Sequence, residues 1–91
     1  MEHELKTWCE PFAATWHGLK SFEYRKNDRD FCVGDILYLR EWNPKTERYS
    51  KRAMKARVSY ILKEGYGLPD GYCIMSLDGL VRYTGDTKMS G

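Results

Sequence analysis

The most informative stretch of the sequence is Gly18-Leu-Lys-Ser-Phe-Glu-Tyr-Arg-Lys-Asn-Asp-Arg29, because it combines opposite charges, two aromatic side chains and a turn signal. Residues 20–26 alternate as the residues of a strand do. The aromatic side chains Phe22 and Tyr24 therefore share one face, which we expect to pack. The opposite, charged face carries Ser21, Glu23 and Arg25.

The residues before this strand predict a short helix of about two turns. Thr7 and Glu10 have the spacing of a capping box, and Pro11 suits a first helical turn because its missing N–H would be unpaired there anyway. Gly18 suits the left-handed residue that follows a last turn. The side of this helix that we expect to face the core carries Phe12 and Trp16.

Other segments predict strands and turns rather than helices. Residues 3–8 form an edge strand or an extended lead-in, and residues 36–42, 49–62 and 72–77 form longer strands. In the second of these, one face is expected in the core (Met54, Ala56, Val58, Tyr60 and Leu62) and the other is basic. A glycine-rich loop at 64–71 separates the last two strands.

These segments favour a mainly β fold, a small antiparallel β-barrel with one short N-terminal helix, formed by residues 1–79. Residues 80–91 are weakly patterned and predict a flexible C-terminal tail. The alternative is an open α+β sheet with the helix on one face. The 91-residue chain is too short for a second domain, and 42% hydrophobic content is typical of a packed globule.

Charge and composition exclude several classes of protein. No apolar run approaches the roughly 20 residues that cross a bilayer, and the acidic first residues do not resemble a secretory signal, so we expect a cytoplasmic protein without membrane contact. Cysteine spacing does not fit a zinc site, which predicts reduced thiols, no metal and no cofactor. The net charge is +2, but residues 40–63 carry eight Lys or Arg against two Glu, which predicts a local basic patch.

Gly18, Lys20, Glu23 and Arg25 match all four fixed positions of the Gly-x-Lys-x-x-Glu-x-Arg signature of the ASCH (activating signal cointegrator homology) superfamily. Over most of residues 3–78 the chain resembles a small bacterial and phage branch of that superfamily, which has no established activity. The resemblance implies a PUA-like β-barrel with a helix beside it. It also implies a cleft in which the signature residues meet RNA or a modified nucleotide.

The preferred hypothesis is therefore an RNA-binding or nucleotide-binding module rather than an enzyme. Arg25, Lys20 and Lys26 would contact phosphate or base, and Glu23 would accept from an exocyclic amino group. The loop at 65–71 would border the cleft. Lys20 is out of phase with Glu23 and Arg25, so a bulge or a late start of the strand must bring it to them.

Other residues could extend such a binding surface. An RNA backbone could follow the basic strand face by charge alone, through Lys51, Lys55 and Arg57. Aromatic side chains near basic residues or loops could stack on bases, namely Trp8, Trp42, Tyr49 and Tyr66. In each case an ordinary solvated or packed side chain is the alternative.

Two further functions stay open. Some small ASCH proteins are amidohydrolases that act on acetylated cytidine with a Lys and a Thr of the signature and a Glu later in the chain. Resemblance to them would make Lys20 an activating base and Glu23 an acid or base, but Glu23 stands where that Thr would be, which removes the nucleophile. The other function is that of a phage or mobile-element accessory protein that binds a host protein.

Overall fold

The structure, a computed structural model, describes residues 1–85 and contains one helix and five strands in that range. In chain order these are β1 (Glu2–Trp8), α1 (Cys9–Trp16), β2 (Phe22–Lys26), β3 (Ile36–Asn43), β4 (Arg48–Leu62) and β5 (Tyr72–Tyr83). Strands make up 55% of the described residues. The predicted mainly β fold with one short helix is confirmed.

The five strands form one curled sheet, a half-barrel, in the order β1-β3-β4-β5-β2. β1 and β2 are therefore the two edges, and no strand pairing joins them. Three of the four pairings are antiparallel, but β1 runs parallel to β3. The expectation of an entirely antiparallel sheet was wrong at β1, because α1 and β2 intervene between β1 and β3 and supply the long crossover that a parallel pair needs.

The core lies on the concave face of the sheet and beneath α1. Alternate residues of β1 are buried, and Leu37 and Leu39 of β3 are fully buried beside them. Phe12 of α1 is also fully buried and stacks on Trp16 at 5.7 Å between ring centroids, as the four-residue spacing predicted. The remaining members of the buried cluster are Leu5, Phe31, Met54, Val58, Cys73 and Met75.

The start of the helix differs from the capping-box prediction. α1 begins at Cys9 with Trp8 as its N-cap residue, and no side chain caps it. Thr7 instead continues the buried alternation of β1, because strand pairing with β3 extends through Trp8. The predicted end is confirmed, since Gly18 has a positive φ of 78° just after the last turn.

Two other predictions failed in β4 and β5. Tyr60 was expected in the core but is 63% exposed, because the β4–β5 register shifts between Val58 and Tyr60 and a bulge reverses the alternation. Residues 80–83 were expected in a tail but belong to β5, where Tyr83 pairs with Ala53 and Leu80 packs against the core. Residues 84 and 85 follow the strand, and the last six residues of the predicted tail, 86–91, lie outside the described residues.

A buried ion pair ties α1 to the sheet. Glu41 on β3 accepts two hydrogen bonds from the Arg52 guanidinium on β4, at 3.0 and 2.8 Å, and a third from Ser50. The Arg52 bonds and the Ser50 bond hold the pKa of Glu41 below its usual range despite burial. Arg52 also lies over the Trp16 ring at 4.8 Å, so the same guanidinium contacts the helix.

A second buried carboxylate fixes the start of the sheet. Burial favours the neutral acid of Asp35, but hydrogen bonds from the Cys32 amide, His3 and the Met1 ammonium outweigh that and lower its pKa to about 2. His3 lies on β1 and approaches Asp35 at 2.8 Å. The cluster therefore joins β1 to the turn that precedes β3.

Candidate functional site

A cleft of about 380 Å³ lies where the two edges of the half-barrel face each other. Its walls come from β1 and the start of α1 on one side, and from β2 and the segment before it on the other. The lining residues are Lys6, Thr7, Trp8, Pro11, Lys20, Glu23, Tyr24 and Arg25. Three of the four signature residues therefore meet in this cleft, where the resemblance implied a ligand site.

The charged face of β2 turns inward, opposite to the prediction that the aromatic face would pack. Glu23 is only 3% exposed, whereas Phe22 and Tyr24 are 45% and 48% exposed. A carboxylate can be buried at such a position because two cations are paired with it. Tyr24 covers part of the outer surface by stacking on Tyr72 of β5, with ring centroids 5.5 Å apart.

Glu23 lies between two cations. Its Oε1 accepts from Lys20 Nζ at 3.1 Å, and its Oε2 accepts from Arg25 Nε at 2.8 Å. Each carboxylate oxygen thus has one charge-assisted hydrogen bond, which fixes the carboxylate plane. The three side chains form one rigid unit with a formal charge of +1.

Lys20 reaches this unit because β2 starts late. The strand begins at Phe22, two residues after Lys20, so the strand alternation does not apply to the lysine. Its backbone N–H donates to Ala14 O of α1, and its Nζ donates to Phe22 O at 2.6 Å. The phase of Lys20 required either a bulge or a late start of the strand, and the late start is the one that the structure shows. The positive φ of Gly18 makes the reversal that precedes it.

Two arginines hold the edges together through side chains. Arg25 Nη2 on β2 donates to Thr7 Oγ1 on β1 at 3.0 Å, and Arg29 Nη1 donates to the backbone carbonyl of Glu4 at 2.7 Å. An edge strand presents unpaired backbone groups. Arg29, which follows the end of β2, donates to one such group of β1, the Glu4 carbonyl. The seam between β1 and β2 is thus closed by arginine hydrogen bonds, which leaves room for the cleft.

The cleft carries a net positive charge with unused donors. Its charged lining comprises three cations, Lys6, Lys20 and Arg25, and one carboxylate, Glu23. Among residues 1–85, Lys20 uses two of its three N–H donors and Arg25 two of its five, so both retain capacity for an anionic ligand. Within residues 1–85, His, Cys, Asp and Glu side chains do not gather in threes where a metal ion could be held.

The other sequence-predicted residues lie outside the lining of the cleft. Lys26 projects on the exposed face of β2, and Tyr66 is 95% exposed in the loop between β4 and β5. That loop contributes no residue to the lining; it joins the end of β2 through the Asn27 N–H, which donates to Gly71 O. On β4, Lys55 pairs with Glu2 and Arg57 with Asp78, while Lys51 lies on an exposed part of the same strand.

Sequence reasoning missed the wall contributed by β1 and α1. Thr7 and Pro11 were assigned to the start of the helix, and Lys6 was not singled out. The available signal was the alternation that places His3 and Leu5 on one face of a strand, because the next residue on that face is Thr7. Only Trp8 of this wall was among the predicted binding residues.

None of the helical segments within residues 1–85 combines the length and apolarity that crossing a bilayer requires. Residues 2–77 match the family described as "Domain of unknown function (DUF3850)". The match covers all of β1 to β4 and about half of β5, and therefore every residue of the cleft. No curated protein matches the chain.

Proposed function

We propose that the cleft of this chain, which belongs to the DUF3850 family, binds RNA or a modified nucleotide without catalysing a reaction. The observation that carries the proposal is the Lys20–Glu23–Arg25 unit, in which a buried carboxylate orients two cations whose remaining donors have no partner within the described part of the chain. Arginine forks suit phosphate oxygens and guanine edges, and lysine is a point charge for phosphate.

The cleft also has a size and composition suited to a nucleotide. Its volume of about 380 Å³ lies within the usual range for small-ligand sites, at the lower end. Trp8 and Tyr24 supply aromatic surface for a base, and Glu23 supplies an acceptor for an exocyclic amino group. An acidic protein tail would use the cations but not the aromatic surface, because Asp and Glu side chains carry no aromatic ring to stack.

We further propose that the chain is related to the ASCH superfamily. Support comes from the way its signature residues are used: Lys20, Glu23 and Arg25 form one ion-paired cluster, and Gly18 makes the turn that delivers Lys20. A curled mainly β sheet with one helix beside it is consistent with a PUA-like barrel. A bacterial or phage origin and a cytoplasmic location belong to the same proposal.

Binding titrations in low salt with cytidine 5′-monophosphate and a single-stranded RNA of about ten nucleotides test the function. Arg25→Ala should lower affinity for both probes by about tenfold or more, because it removes a desolvated charged donor. Arg57→Ala is the matched control, since Arg57 is an exposed arginine on β4. Equal losses in both variants would indicate binding by charge alone, and an unchanged affinity in Arg25→Ala would reject the cleft.

The hydrolase alternative depends on a nucleophile other than the signature threonine. Thr7 brings a hydroxyl into the cleft, but its Oγ1 accepts from Arg25, and its nearest acceptor is Leu5 O at 3.5 Å. No described contact pairs this hydroxyl with a base. Incubation with acetylated cytidine, followed by chromatography, tests this alternative. If the wild-type chain released acetate and the Thr7→Val variant did not, catalysis would replace binding as the proposed function.

Binding of a host protein is the remaining alternative. Pull-down from a nuclease-treated lysate separates it from the RNA proposal, because a protein partner survives nuclease treatment. A partner retained by the wild-type chain and lost in Arg25→Ala would assign the cleft to protein recognition.

A further inference from the structure

Three aromatic side chains form one row across the outer face of the sheet beside the cleft. Trp8 on β1 pairs in register with Trp42 on β3, and Trp42 pairs with Tyr49 on β4. The rings of Trp42 and Tyr49 are in T-shaped contact, with centroids 4.8 Å apart. Neighbouring strands are about 4.8 Å apart, so this row of three residues, the aromatic row, spans about 10 Å.

Cations accompany the aromatic row. Lys6 Nζ lies 4.1 Å from the Trp42 ring centroid, and the Arg40 guanidinium lies 3.9 Å from that of Tyr49. Two carboxylates near the row are paired with arginines: Glu4 pairs with Arg40 at 3.4 Å, and buried Glu41 pairs with Arg52. The rings of the row are therefore accompanied by the cations Lys6 and Arg40, and Trp42 and Tyr49 lie in a segment, residues 40–63, whose formal charge is +6.

The aromatic row is continuous with the cleft. Lys6 and Trp8 line the cleft, and both also belong to the outer surface, where Lys6 covers Trp42. Trp8 is 60% exposed and Tyr49 is 40% exposed, so both present accessible ring surface. A ligand that fills the cleft can thus extend onto the row past Lys6 and Trp8, which belong to both surfaces.

We propose that the aromatic row is a stacking platform for the bases of a single-stranded RNA whose neighbouring nucleotide occupies the cleft. This inference rests on the proposed function of the cleft and extends it from a single nucleotide to a strand. Sheet-borne aromatic residues stack two or three bases in known single-strand binders, and flanking cations follow the phosphates. The chemistry selects unpaired bases, because the faces of paired bases are closed within a duplex.

The test compares a mononucleotide with a strand. Trp42→Ala and Tyr49→Ala should each lower affinity for a single-stranded RNA of about ten nucleotides by about tenfold, while affinity for cytidine 5′-monophosphate stays unchanged. Tyr66→Ala is the matched control, because Tyr66 is an exposed tyrosine in the loop at the far end of β4. Trp42→Phe keeps a ring and should retain most of the affinity, which separates stacking from a folding defect.

The outcomes distinguish this inference from the function of the cleft. One outcome is that Arg25→Ala loses affinity for both probes, whereas Trp42→Ala and Tyr49→Ala bind the RNA with unchanged affinity. This outcome would overturn the platform and leave the proposed function of the cleft in place. A wild-type chain that binds neither probe would overturn both. Equal affinity for the RNA strand and for the same sequence annealed to its complement would also overturn the platform, since a duplex offers no free base faces.

Discussion

Arg25 of β2 donates a hydrogen bond to Thr7 of β1 at 3.0 Å, and this contact bridges the two edges of the half-barrel. The same guanidinium holds Glu23, so the closure of the sheet and the geometry of the cleft depend on one side chain. A seam closed by side chains leaves a space that pairing of the two strands would have filled. The stability of the fold and the geometry of the cleft are therefore coupled at Arg25.

Thr7→Val tests the seam, because it removes the acceptor and keeps the shape. We expect the free energy of unfolding to fall by about 1 to 2 kcal/mol, since the Arg25 donor loses its partner in a partly buried position. Urea denaturation followed by circular dichroism measures the change. Thr46→Val, in the exposed turn between β3 and β4, is the matched control and should be neutral. Equal effects in both variants would mean that the seam contributes nothing.

Glu23→Gln tests the buried carboxylate. The substitution leaves Lys20 and Arg25 beside a neutral amide, so two charge-assisted hydrogen bonds weaken and the cations repel each other. We expect a loss of about 2 to 4 kcal/mol, because one partner of a buried ion pair is removed. Glu4→Gln breaks an exposed pair with Arg40 and should cost less than about 1 kcal/mol. A Glu23→Gln chain as stable as the Glu4→Gln chain would contradict the pairing.

Arg52→Lys tests the link between α1 and the sheet. Lysine keeps the charge but cannot donate in a bidentate manner to Glu41 or lie flat over Trp16. We expect thermal unfolding at a lower temperature, with a loss of about 1 to 3 kcal/mol. Arg48→Lys changes an exposed arginine four residues away and should have no measurable effect. An Arg52→Lys chain that melts with the wild type would show that the guanidinium geometry is unimportant.

The lowered pKa of Asp35 predicts that the protein loses stability in acid. Its pKa is about 2 in the folded chain against 3.8 in the reference state, so the unfolded chain binds more protons between these values. The contribution of the carboxylate is therefore fully present above about pH 4 and falls as the pH drops toward 2. Urea denaturation across this pH range, compared with Asp35→Asn, measures it. The difference between the two chains should shrink as the pH falls, and a constant difference would contradict the assignment.

The extent to which the sequence predicted the site differs between residues. Strand alternation grouped only Glu23 with Arg25, and their grouping with Gly18 and Lys20 came from the resemblance of their spacing to the ASCH signature. The phase of Lys20 required either a bulge or a late start of the strand. Thr7 was misassigned because its spacing to Glu10 fits a helix cap as well as a strand position. Tyr66 was grouped with Trp8, Trp42 and Tyr49, although it lies beyond the opposite end of β4.

Periodicity in the sequence was enough to establish which residues of β2 share a face, where the chain reverses at Gly18, and that Phe12 and Trp16 lie together on one helix. Which face of β2 turns inward is visible in the folded sheet alone. Alternation defines two faces but not their environment, and the inward choice depends on partners that are distant in sequence. Glu23 and Arg25 face the cleft because Thr7, 18 residues from Arg25, accepts across a seam that exists only once the sheet has curled.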